Sequence, residues 1–195
     1  MAKRTNDLVP YRRLHFFAPV FAPLTHRGQV NDIRARPDAA EPLRLAAQLF
    51  AAVSSRCGDR PHVIMAAVAT FRGSHLRCTG QPDVLSRRMV AAAGVRRQRF
   101  LFPDNVKSTV CAVPSTGIPL SGTLVANTTA VLDLFDCARR RCVYALTKRE
   151  RLHSFVTEGM TADDFYHALE KIDSLIEEYR SIDRMIDDND RVVGE

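Results

Sequence analysis

The sequence has little glycine, and its glycines are scattered. Nine glycines occur among the 195 residues, and they form neither a GxGxxG nor a GxxxxGK[ST] motif. Because such loops present the backbone N–H groups that bind phosphate, no phosphate-binding loop is recognisable. The catalytic motifs HExxH and GxSxG are also missing. We therefore expect neither an enzyme of these classes nor a bound cofactor, and we name no catalytic residue.

The cysteines do not form a recognisable framework either. Their number is five, which is odd, and no CxxC pair occurs. This usage favours reduced thiols over disulfides. Cys137, Cys142 and His153 lack the fourth ligand and the tight spacing of a metal site, so we expect no metal. The sequence has no run of about 18 apolar residues and no apolar signal region near its start, which favours a cytoplasmic protein without a membrane span.

Charge is distributed unevenly along the chain. From Leu152 to Glu195 there are 12 acidic and 4 basic residues, a net charge of −8, whereas the preceding 151 residues carry a net charge of +14. This polarity indicates a basic body that suits acidic partners and an acidic end that suits basic ones. Two ordinary solvated faces are the alternative. Arginine clusters such as Arg139-Arg140-Arg141 also suit nucleic acid, although no nucleic-acid-binding motif accompanies them.

Hydrophobic periodicity and turn residues predict the order of secondary-structure elements. The order is strand, helix, strand, helix, strand, strand and two long helices. This order predicts an α/β (α+β) fold, a two-layer sandwich with a mixed sheet that carries a C-terminal helical hairpin. The predicted strands cover 14–21, 62–71, 106–112 and 120–126, and the predicted helices start at Glu41, cover 82–93 and 128–146, and end with 161–188.

The last helix is strongly amphipathic. Thr161 and Asp164 form a start that is similar to a capping box. An apolar stripe recurs at spacings of three and four, and it predicts packing on the preceding helix: Phe165, Ala168, Ile172, Leu175, Tyr179, Ile182 and Ile186. The opposite face is a candidate partner surface, a negative ridge for basic partners that is formed by Asp163, Asp173, Glu177 and Asp187.

Several strings occur in the order in which one family carries them. They are LHFFAPVFAPLTHRG at 14–28, FRG at 71–73, NVKSTVC at 105–111, LVANTTAVLDLF at 124–135 and EGM at 158–160. Together they span most of the chain, and the ordered set resembles the C-terminal part of beta-tubulin. Gamma- and epsilon-tubulin share parts of it, so the resemblance is to the superfamily first and to the beta subtype second.

The resemblance implies a domain division and partners. Residues 1–126 would form the intermediate domain and residues 127–195 the helical C-terminal domain. The resemblance implies tubulin subunits, microtubules, motors and associated proteins as partners, and location in the cytoskeleton. It identifies Thr25, His26, Arg27 and Gly28 as a candidate lateral-contact loop.

Full-length tubulins bind GTP on an N-terminal domain, and the resemblance here begins near Leu8. We therefore expect a truncated tubulin-like structural or interaction protein that lacks this GTPase domain. Leu14, Phe16 and Phe21 are then expected near an apolar face that the missing domain would cover. Two alternatives stay open: a gene fragment of a full beta-tubulin without a function of its own, and a basic nucleic-acid-binding module.

Overall fold

A computed structural model describes residues 8–22, 41–55, 62–73, 86–91, 99–116, 118, 120–148 and 152–193. The chain divides into two compact units, Met1–Ala130 and Val131–Glu195. Among the described residues, no helix has both the length and the apolar character that crossing a membrane requires.

The first unit is built on a mixed sheet, as predicted. Its strands are β1 (Phe17–Ala22), β2 (Val63–Gly73), β3 (Arg99–Phe100), β4 (Val106–Cys111) and β5 (Leu120–Thr128). The long strand β2 pairs antiparallel with β5 and parallel with β3 and β4, and β5 pairs antiparallel with β1. A run of apolar residues buried on both faces explains why β2 is central.

Helix α1 (Glu41–Ser55) packs on one face of this sheet. Its Leu45 and Leu49 lie over Gly122 of β5, where an added Cβ would stand 3.0 Å from a side-chain carbon of each leucine. The helix approaches the strand closely because position 122 has no side chain. The fully buried Phe50 and Phe71 belong to the same core. The structure therefore confirms the α/β arrangement with helix on sheet.

Strand β1 is an edge strand among the described residues, and it differs from its prediction. The sequence predicts a buried strand over 14–21, but the observed strand alternates, with Phe17 and Phe21 exposed by 41% and 46% while Val20 is buried. Pro19 fits this position because proline has no N–H to donate to a further strand. Leu14 is only 3% exposed, so its expected place on an open apolar face is wrong.

Strand β5 continues past its predicted end. The sequence predicts a strand to Ala126 and a helix from Thr128, yet β5 ends at Thr128 and a 3-10 turn (Thr129–Val131) follows. Two hydroxyl groups hold the backbone extended here, since Thr128 Oγ1 donates to the Val63 carbonyl and Thr129 Oγ1 accepts from the Val63 N–H. These two long-range hydrogen bonds therefore favour the sheet over the helix.

Between β2 and β4 the described chain is helical over residues 86–91, here termed α2, inside the predicted helix 82–93. The two-residue strand β3 was not predicted. A strand of this length carries no periodicity in the sequence, so no pattern could have shown it.

The second unit consists of helices. They are α3 (Leu132–Lys148), the short α4 (Leu152–Thr157) and α5 (Ala162–Val193). Helices α3 and α5 pack on each other, which confirms the predicted helical pair. The six residues of α4 lie between the predicted helices and belong to no predicted element.

Candidate partner surface on the C-terminal helices

The start of α5 is fixed by a reciprocal cap. The backbone N–H and the hydroxyl of Thr161 both donate to Asp164 Oδ2 at 2.8 Å, and the Asp164 N–H donates back to Thr161 Oγ1 at 3.3 Å. These donors favour the charged carboxylate and so lower the pKa of Asp164 below its ordinary value. The capping box predicted from Thr161 and Asp164 is therefore confirmed.

A tight turn joins α4 to this cap. The N–H groups of Gly159 and Met160 donate to the carbonyls of Val156 and Phe155. Gly159 has a φ of 94°, a left-handed value that glycine adopts without strain. Across the turn, the rings of Phe155 and Phe165 meet edge to face, with centroids 5.8 Å apart. The first turn of α5 thus stands in a defined orientation on α4.

Two ion pairs join α3 to α5. Arg139 binds Asp173, and Arg180 Nη2 donates to Asp136 Oδ1 at 3.2 Å. The hydrogen bond from Arg139 and the charge of Asp173 raise the pKa of the Arg139 guanidinium above its ordinary value. The centroid of the Phe135 ring on α3 lies 5.9 Å from that of the fully buried Tyr179 ring on α5. Polar and aromatic contacts together fix the register of the helix pair.

The apolar stripe of α5 is buried in its second half. Ile176 shares this buried surface, although it lies outside the predicted stripe. Phe165, Ile172 and Leu175 are half-buried, and Ala168 is exposed, so its assignment to the packed face is wrong. The buried members of the predicted stripe are Tyr179, Ile182 and Ile186.

The predicted ridge divides into residues with different surroundings. Asp163 and Glu177 are exposed, and Glu177 pairs with Arg184, which lies seven residues, or about two turns, further along α5. Asp173 is half-buried and pairs with Arg139 of α3, so part of its charge is engaged within the unit. The side chain of Asp187 lies outside the described residues. Of the four predicted carboxylates, Asp163 and Glu177 are therefore the ones that the structure places at the surface.

The candidate lateral-contact loop of Thr25, His26, Arg27 and Gly28 lies wholly outside the described residues. Beside it in sequence, Phe17 and Phe21 share one face of β1 because alternate residues of a strand point the same way. Phe16, 38% exposed, adds to the apolar surface around β1. Of the three residues expected on such a surface, Phe16 and Phe21 are exposed.

Asn127 secures the segment that leads into β1. It is fully buried, and its Nδ2 donates to the Leu14 carbonyl at 2.7 Å and the Leu8 carbonyl at 3.0 Å. One side chain thus holds two points of the segment against β5. The exposed aromatic residues that follow are consequently presented from an anchored backbone.

One cavity of about 240 Å³ lies in the first unit, between α2 and β4. At this position the hydroxyl of Ser86 donates to Ser108 Oγ at 3.1 Å, and both serines are buried. No group of three or more His, Cys, Asp or Glu residues in the described ranges could hold a metal ion. The charged residues lining the cavity are Arg87, Asp104 and Lys107.

The two units, a mixed sheet covered by a helix and an ion-paired helical pair, define an α/β protein. Comparison with known proteins identifies its relatives. No family model matches the chain. A beta chain of tubulin from Enteroctopus dofleini is 30% identical over 184 residues, which is 92% of this chain and 39% of that relative. The chain is therefore a distant homologue of beta-tubulin and is related to the tubulin superfamily, and it spans about two fifths of the relative's length.

Proposed function

We propose that this chain is a tubulin-like structural or interaction protein that associates with tubulin or microtubules in the cytoskeleton. The observation that carries the proposal is the homology to a tubulin beta chain across 92% of the chain. The exposed carboxylates of α5 support a second set of partners, basic proteins such as microtubule motors. We also propose that the chain has the two domains that the resemblance implies, an intermediate domain over 1–126 and a helical domain over 127–195.

Co-sedimentation with microtubules tests the first part. The chain should pellet with assembled microtubules, or form a complex with soluble tubulin, in a saturable manner at low salt. Raising the salt should weaken any part of the association that depends on surface charge, because exposed charges are screened. If the chain stays in the supernatant at every tubulin concentration and forms no complex with the soluble dimer, the proposal is wrong.

Charge reversal on α5 tests the second part. D163K and E177K should reduce binding of a motor domain while leaving the fold intact, because both side chains are exposed. E158K is the matched control, since Glu158 is also exposed but lies in the turn before α5. Equal loss of binding in E158K and E177K would assign the effect to overall charge instead of this helix face.

We further propose that the 195 residues do not bind GTP by themselves and are not an enzyme. The support is the lack of a glycine-rich phosphate loop in the sequence, since a triphosphate requires several convergent N–H donors. Titration with a fluorescent GTP analogue at micromolar concentration should show no saturable signal. Binding that GTP but not ATP competes away would refute this proposal.

A further inference from the structure

The outward side of α3 carries an isolated group of cations around one aromatic residue. Arg140, Arg141, Tyr144 and Lys148 are all exposed, and we term them the α3 basic face. Tyr144 is 55% exposed. It stands four residues after Arg140, three after Arg141 and four before Lys148, spacings that place helix side chains next to each other. With a rise of about 1.5 Å per residue, the cations span about 12 Å along the helix.

Among the described residues, the cations of this face lack the carboxylate partners that three other arginines of the unit have, Arg139, Arg180 and Arg184. Arg139 binds Asp173 and Arg180 binds Asp136. By contrast, Arg140 donates only to the Asp136 carbonyl within its own helix, and in the part of the chain that the structure describes Arg141 and Lys148 pair with no carboxylate. The positive charge of the α3 basic face is therefore available to an external anion.

The surrounding charge restricts what that anion can be. Residues 131–195 contain 15 acidic and 10 basic residues, a net charge of −5. The exposed carboxylates of α5, such as Glu170 and Glu177, would repel a long polyanion that extended beyond α3. A short segment confined to about 12 Å would avoid this repulsion. The cations would attract a nucleic acid, but a long nucleic acid would not stay within this span of about 12 Å.

We propose that the α3 basic face binds a short acidic peptide segment of a partner protein. Carboxylates of the segment pair with Arg140, Arg141 and Lys148, and Tyr144 supplies an apolar surface and a hydroxyl between them. The tyrosine distinguishes the site from a purely solvated row of cations, because it offers contact area that bulk salt does not screen. This site does not depend on association with tubulin.

Fluorescence anisotropy with the full chain and a labelled peptide of about twelve residues, rich in glutamate, tests the proposal. R141E should weaken binding about fivefold or more at low salt, because it replaces an attraction by a repulsion. K171E is the matched control: Lys171 is an exposed cation on α5, and its reversal changes the net charge equally. Y144A should weaken binding about threefold, and Y166A, which removes a tyrosine of the same 55% exposure, should not.

Each outcome decides the proposal. Weaker binding in R141E and Y144A than in K171E and Y166A, with unchanged circular dichroism, supports the site. Equal effects of R141E and K171E, or of Y144A and Y166A, would overturn it, because nonspecific charge or surface loss would then explain the signal. Undetectable peptide binding would overturn it as well. Tighter binding of a single-stranded RNA of similar length, sensitive to R141E, would replace the peptide by nucleic acid.

Discussion

Asn127 gives the sharpest test of how the first unit is assembled. Its amide donates two hydrogen bonds, to the carbonyls of Leu8 and Leu14, from a fully buried position. N127A removes both donors, leaves two carbonyls without that partner and opens a small cavity. At about 1 kcal/mol for each hydrogen bond, plus the cost of the unsatisfied acceptors and the cavity, we expect a loss of about 2–4 kcal/mol in the free energy of unfolding.

N127D separates hydrogen bonding from volume. Aspartate has nearly the same size, but at neutral pH one carboxylate oxygen would take the place of Nδ2 and face the two carbonyl oxygens in a buried site, so N127D should cost more than N127A. Lowering the pH should narrow this gap, because a protonated carboxyl can donate one hydrogen bond. Urea unfolding followed by circular dichroism measures both effects.

N105A provides the control for this test. Asn105 is half-buried before β4, and we expect its truncation to change the free energy of unfolding by less than about 0.5 kcal/mol. Two results would contradict this role of Asn127: a loss of unfolding free energy in N105A as large as in N127A, or equal stability of N127D and N127A at neutral pH. Either result would mean that the two carbonyls do not depend on the amide.

The remaining tests concern α1, α5 and the helix pair. G122A should lower stability by about 1–3 kcal/mol, measured by urea unfolding, because its methyl group would crowd two leucines of α1. T161A should cost about 1 kcal/mol in the same assay through loss of the cap. The lowered pKa of Asp164 means that its contribution is complete above about pH 4 and is lost as the pH falls through the lowered value; D164N should remove this part of the pH dependence of Tm. D173K should lower Tm, and the exchange R139E/D173K should restore it, because the pair between α3 and α5 is reformed with reversed polarity.

The sequence predicts the elements whose signals are local and strong. The apolar run of β2, the heptad-like spacing of α5 and the cap at Thr161 each depend on neighbours within a few residues, and each is observed. The mixed α/β fold follows from their order. The features that the sequence does not predict, such as the end of β5, depend on interactions between residues far apart in the chain. The extension of β5 through Thr128 depends on Val63, which is 65 residues away in the chain.

On the candidate partner surface of α5, too, local spacing predicts some features, and contacts with another helix determine the others. Helical spacing identifies the buried side of α5 near Tyr179 and Ile182. It cannot separate Asp173 from Glu177, because both lie away from the apolar stripe, and only the position of Arg139 on another helix decides that Asp173 is paired. A charge on one helix can be assigned to solvent only when the neighbouring helix is known.

Arg139, Arg140 and Arg141 have different surroundings, and this difference decides which of their charges can bind a partner. The three are consecutive in the sequence and chemically identical, and composition alone counts them as one basic cluster. Each residue of an α-helix turns by about 100° relative to the one before it, so three consecutive side chains cannot all face the same side. Arg139 faces α5 and is neutralised by Asp173, whereas Arg140 and Arg141 remain exposed beside Tyr144. The charge available for binding is thus set by the rotation of α3, and the net charge of the chain does not measure it.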